Sequence, residues 1–172
     1  MKKKILIILS FLLIGCSSNN FNKSFEKIIF HTTKCFGTCP EYHLEINNGG
    51  EVKLHIEKAY KNRIIDNSKI GYYTGKLGKS EYVELLNLIE EVDVEKSGII
   101  EAKHDPKTVI LKEGSQLHLI IYVGMQRKPM THIYPVGHWN KLMKFVNNIS
   151  NNNNLTKINK ELYIEPFDSF KN

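Results

Sequence analysis

The sequence predicts an α+β domain: a mostly antiparallel β-sheet built from hairpins, with two amphipathic helices packed on one face. Three observations carry that expectation. Apolar and polar residues alternate around short polar turns, as in a half-buried antiparallel sheet. Two later segments switch to a spacing of three and four, which is helical. Single helices separate the hairpins, without the regular strand and helix alternation of a parallel sheet.

Residues 27–33 are β-rich. Tyr42, Leu44 and Ile46 alternate with His43, Glu45 and Asn47, a turn follows at Asn47-Asn48-Gly49-Gly50, and Val52, Leu54 and Ile56 repeat the pattern. This is a hairpin with one apolar face. Its other face carries His43, Glu45, Lys53 and His55, either as a recognition surface or as ordinary solvated sheet. Another strand is expected around Ile70, Tyr72 and Thr74, interrupted by Gly71 and Gly75. Tyr82, Leu85, Leu86, Ile89 and Val92 then mark an amphipathic helix over residues 79–93. Past Gly98 and an Asp105-Pro106 turn, residues 109–112 and 117–123 flank Glu113-Gly114-Ser115 and read as a second, more buried hairpin. Trp139, Leu142, Met143, Val146 and Ile149 form the stripe of a last helix, which the asparagines at 151–154 end. Residues 155–172 keep Leu162, Tyr163, Ile164 and Phe167, and read either as an edge strand or as a loose tail.

The first residues address the chain rather than fold it. Lys2, Lys3 and Lys4 precede an almost wholly apolar run over residues 5–14, too short for a membrane-spanning helix, and Leu13-Ile14-Gly15-Cys16 follows. That arrangement resembles a bacterial lipobox, which implies cleavage after residue 15 and lipid, palmitate included, on Cys16. Ser17, where an aspartate would resemble an inner-membrane retention signal, favours the outer membrane facing the periplasm. The expected organisation is a signal peptide at 1–15, a polar tether at 16–25, one domain at 26–150, and an Asn-rich linker and tail at 151–172. The formal net charge falls from +6 to +3 once the three leader lysines are removed, too little and too scattered to predict a nucleic-acid partner.

The most distinctive stretch is Cys35-Phe36-Gly37-Thr38-Cys39-Pro40-Glu41-Tyr42. With Cys16 lipidated, an even pair of cysteines meets an oxidising compartment, and a short disulfide between Cys35 and Cys39 is the plain reading. The sharper reading adds the histidines four positions away on either side. His31, Cys35, Cys39 and His43 offer two thiolates and two imidazoles, a set suited to zinc or copper. Alternation places His31 and His43 opposite Phe30 and Leu44, toward solvent. A redox-active pair lacks both the Cys-x-x-Cys spacing and the strand and helix context of thioredoxins.

The same stretch resembles the signature of an uncharacterised bacterial family, a domain of unknown function marked by Cys-Phe-Gly-Thr-Cys-Pro-x-Tyr and often found in predicted lipoproteins. A looser likeness continues through Gly71-Tyr72-Tyr73-Thr74-Gly75, the first helix, Asp105-Pro106 and the last helix, over residues 26–149. The resemblance implies an α+β fold and no established activity.

Nucleophile elbow, Walker loop, zincin helix and dinucleotide fingerprint are missing from the sequence. Ser24 and Lys27 match a serine-lysine spacing without its companion motifs, and His104-Asp105 reads as the start of a turn rather than an acid-base pair. The expectation is therefore a lipid-anchored, non-catalytic binding or interaction module without a cofactor, whose partner is an envelope protein, a peptide or cell-wall material. The alternative is a periplasmic copper or zinc protein using the cysteine pair.

Overall fold

The computed structural model describes residues 25–35, 37–92, 94, 115–132 and 137–167. The leader, Cys16, the tether, Ser24, His104, Asp105 and the expected strand at 109–112 lie outside the described residues. Among the described residues the fold is α+β, with two α-helices and a seven-stranded sheet whose neighbouring strands all run antiparallel.

β1 (Lys27–Thr32) lies between β2 (Glu41–Asn47) and a later strand, and β2 turns through Asn48 and Gly49 into β3 (Glu51–Lys58). A small separate hairpin follows, β4 (Tyr60–Lys61) and β5 (Ile64–Ile65). Asn62 and Arg63 both take positive φ at its turn, and because Arg63 stands where glycine is usual, no turn signal marked it in sequence. β6 (Gly71–Lys76) pairs with β3, and α1 (Lys79–Glu91) follows. β7 (Leu117–Val123), β8 (Gln126–His132), α2 (Gly137–Ile149) and β9 (Thr156–Ile158) complete the order β8-β7-β1-β2-β3-β6-β9.

The second hairpin differs from the sequence expectation. Leu117–Val123 pairs with Gln126–His132 across a tight turn at Gly124 and Met125, where Gly124 takes φ 57°. Its other edge is occupied by β1, so both edges of β7 are filled without residues 109–112. The Gln-Arg-Lys-Pro-Met-Thr-His run lacks apolar alternation and contains Pro129, which demotes it as a central strand. At the edge of the sheet those features are tolerated, because one side of β8 needs no ladder.

Alternation along each strand sorts its residues onto two faces. Ile28, Phe30, Tyr42, Leu44, Ile46, Val52, Leu54, Leu119 and Ile121 share one buried cluster with Leu85 and Ile89 of α1 and with Trp139, Leu142, Met143 and Val146 of α2. Each such side chain contributes about 1.5–3 kcal/mol on leaving water. Of the segment left open between edge strand and loose tail, Thr156–Ile158 pairs with β6. Gly75 makes that close approach feasible, since a Cβ there would stand 2.6 Å from the Asn154 carbonyl oxygen.

Candidate functional site

The face turned away from the hydrophobic cluster carries a row of imidazoles, one on each of four neighbouring strands. In register, His118 of β7 lies opposite His31 of β1, His31 opposite His43 of β2, His43 opposite His55 of β3, and His55 opposite Tyr72 of β6. Thr131 of β8 extends the row, its hydroxyl 2.8 Å from His118 Nδ1. At the other end the His55 ring stacks on Tyr72, with centroids 4.1 Å apart and planes within 14°. Cross-strand neighbours on one face sit close enough for aromatic rings to touch, so the period of two and the antiparallel register build the row by themselves.

Contacts tighten toward its centre. His31 Nδ1 and His43 Nδ1 are 2.8 Å apart, and His43 Nε2 is 3.0 Å from Glu57 Oε1. One nitrogen each of His43 and His55 and one Glu57 carboxylate oxygen all lie within 4.8 Å of one another. Two rows along the same face, Arg127, Tyr122 and Lys27 form a basic and aromatic row.

After β9 the chain doubles back across this face. Glu161, Tyr163 and Pro166 form one wall of a groove of about 610 Å³ whose floor includes His31, His43 and His55. Glu165 anchors the crossing. Its carboxylate accepts from Lys27 Nζ at 3.0 Å, from the Tyr122 hydroxyl at 2.7 Å and from Arg127 Nε at 2.9 Å, and the residue is 7% exposed. Burial works against ionising Glu165, but these donors outweigh it and hold the carboxyl below the usual range. Burial likewise pushes the Tyr122 phenol up to about 12, and the adjacent Glu165 charge adds to it. Phe167 ends the crossing with its ring centroid 4.2 Å from that of His118.

The same crossing corrects the expected exposure of His31, which is 4% exposed rather than solvent-facing. Burial, with His43 and His118 alongside, lowers its pKa to about 4, so the ring is neutral at pH 7. Its Nε2 is buried and has no hydrogen bond of ordinary geometry among the described residues, although the Glu165 main chain favours a proton on this ring. Burial also lowers the His55 pKa and raises that of Tyr72, which Glu161 raises further.

Cys35 and Cys39 are joined in a disulfide with Cα atoms 5.7 Å apart. In that state they have no thiolate to offer a metal, and the ligand-spaced group on the histidine face includes neither. Thr32 closes the base of their loop, its hydroxyl donating to the Pro40 carbonyl and accepting from the Tyr42 amide. Tyr42 follows a register shift at Glu41 and enters the core, where its hydroxyl donates to Asn147 Oδ1 of α2 at 2.5 Å.

Of the four residues predicted as a ligand set, the structure therefore brings His31 and His43 together and spends the cysteines on each other. His55 was legible as a member of the polar hairpin face. Glu57, Glu161, Glu165 and His118 were missed as site residues. Glu57 carried a signal, being in step with His55 on β3, and so did His118, which alternates with the core residue Leu119 on β7, whereas nothing local links residues 161–167 to this face.

Comparison with curated proteins finds no match to the chain. Comparison with protein families matches residues 26–130 to the domain of unknown function DUF6438, a span that holds the whole histidine row and Glu57 but ends before α2 and the C-terminal crossing. By that match, which covers more than half of its length, the chain belongs to the DUF6438 family.

Proposed function

We propose that the chain is a lipid-anchored, non-catalytic binding module of the bacterial cell envelope that receives its ligand in the histidine groove. Lipid on Cys16 holds it to the outer membrane, and the tether that runs from Cys16 to just before the buried Phe25 sets the domain within reach of envelope proteins, peptides and cell-wall material. Both helices cover one face of the sheet and leave the opposite face to the ligand. The Cys-Phe-Gly-Thr-Cys-Pro-x-Tyr stretch is a structural signature, its loop closed by the disulfide and its tyrosine fastened to α2. A disulfide persists in an oxidising compartment, which supports export.

The groove carries the reading. Three imidazoles and a phenol line the floor of a concave surface on a sheet face that solvent would otherwise cover, and a buried carboxylate fixes the segment forming its wall. A few convergent polar groups in a concave site are what ligand recognition requires.

Native mass spectrometry on the full-length protein, extracted in mild detergent from its own envelope, tests it. The expected result is a lipidated chain carrying an additional bound mass that is lost from a His55→Ala, Tyr72→Ala double variant of unchanged circular dichroism. A bare lipidated chain, or an adduct retained by the variant, would overturn the proposal.

A further inference from the structure

We infer that the floor of the groove is a binding site for a divalent transition metal, zinc or copper(II), held by His43 Nε2, a ring nitrogen of His55 and the carboxylate of Glu57. The inference rests on the groove being the ligand site and names the ligand its central residues select.

Proton counting on the row supplies the argument. A 2.8 Å contact between His31 Nδ1 and His43 Nδ1 requires one proton between them. If His31 donates it, His43 Nε2 can donate to Glu57, but the buried Nε2 of His31 is left as a lone pair without a donor. If His43 donates it, His31 carries its proton on Nε2. The Nε2 lone pair of His43 then faces the Glu57 carboxylate at 3.0 Å. Two acceptors at that distance need a proton or a metal ion between them.

A metal ion meets that need and uses the third donor. Bonds of 2.0–2.1 Å in a tetrahedral zinc site put neighbouring ligand atoms about 3.3 Å apart, near the 3.0 Å between His43 and Glu57. His55 has a nitrogen within 4.8 Å of both partners, close enough to complete the set by a small side-chain shift. Two imidazoles and a carboxylate match the donor preference of zinc and copper(II) and leave a coordination position for water or a ligand group. His31 supports rather than coordinates, accepting the Nδ1 proton of His43 and so directing Nε2 to the metal. The cysteines take no part.

The test is titration of full-length, chelator-stripped protein in detergent with zinc chloride, followed by calorimetry and native mass spectrometry. One zinc per chain is expected at micromolar concentration. His43→Ala and His55→Ala should each weaken it at least tenfold, and Cys35→Ser with Cys39→Ser should leave it unchanged. Cobalt(II) substitution gives an independent reading that does not depend on the variants folding: the spectrum should show nitrogen and oxygen ligation without thiolate charge transfer. Absence of stoichiometric zinc, zinc binding indifferent to both histidines, or a thiolate band would overturn the inference. If zinc fails while the envelope-derived adduct still requires His55 and Tyr72, the metal falls and the binding module stands. If both fail, so do both readings.

Discussion

His31 and His43, on neighbouring antiparallel strands, meet through their Nδ1 atoms at 2.8 Å, so a buried ring and a half-exposed one share a single proton and their tautomers are linked. The contact spends one nitrogen of each ring and leaves the other nitrogens unequal, one enclosed and one facing Glu57.

His31→Leu separates stability from binding. The substitution removes a buried nitrogen that lacks a good partner, a defect worth about 1–3 kcal/mol, so the metal-free protein should gain about 1 kcal/mol in urea denaturation. Zinc affinity should fall by about 10–100-fold, as expected when a ligating histidine loses the partner that orients it. Lower stability with unchanged zinc binding would contradict this account of the pair.

Glu165→Gln should loosen the C-terminal crossing. Hydrogen bonds to a charged group contribute about 1.5–3 kcal/mol each, and the variant keeps the shape while losing the charge that Lys27 and Arg127 complement. The folded pKa of Glu165 is depressed, so its stabilisation is complete above the unfolded value of about 4.3 and is lost as pH falls through the folded value. The stability gap between wild type and variant should therefore be largest near pH 6 and shrink below about pH 4.3. Hydrogen exchange should show residues 161–167 losing protection before the central strands do.

Cys35→Ser with Cys39→Ser should cost about 2 kcal/mol, the loop-closure entropy of so short a ring. Urea denaturation in the presence and absence of reductant measures it. Since Thr32 also ties the loop base to Pro40 and Tyr42, the reduced protein should still fold.

Tyr42→Phe should lower stability by about 1–2 kcal/mol. It keeps the ring in the core and strands Asn147 without its hydroxyl donor. Burial raises the phenol well above its ordinary range, so tyrosinate absorbance from Tyr42 should be missing from an alkaline titration until the protein unfolds.

Much of the fold was legible because its determinants are local. β-rich composition marked β1, alternation marked β2 and β3, the Asn-Gly turn set the β2 and β3 register, and a spacing of three and four located both helices to within two residues at their described ends. The β4 and β5 hairpin escaped notice because Asn62 and Arg63 supply an unconventional turn. β8 escaped because its proline and charges suit only an edge, and edge position belongs to the assembled sheet.

The candidate site divides along the same line. By itself the sequence determined that His31, His43, His55 and His118 each point away from an adjacent apolar residue, Phe30, Leu44, Leu54 or Leu119, and that His43 pairs with His55, since side-chain period and hairpin register follow from neighbouring residues. Only the tertiary structure decided that β1 lies between β2 and β7, which joins four separate histidines into one row. It alone decided that residues 161–167 return across that row and bury His31. Those contacts join positions 38 to 138 residues apart, and their free energy resides in a carboxylate meeting three donors from three strands, a coincidence no short stretch of sequence encodes.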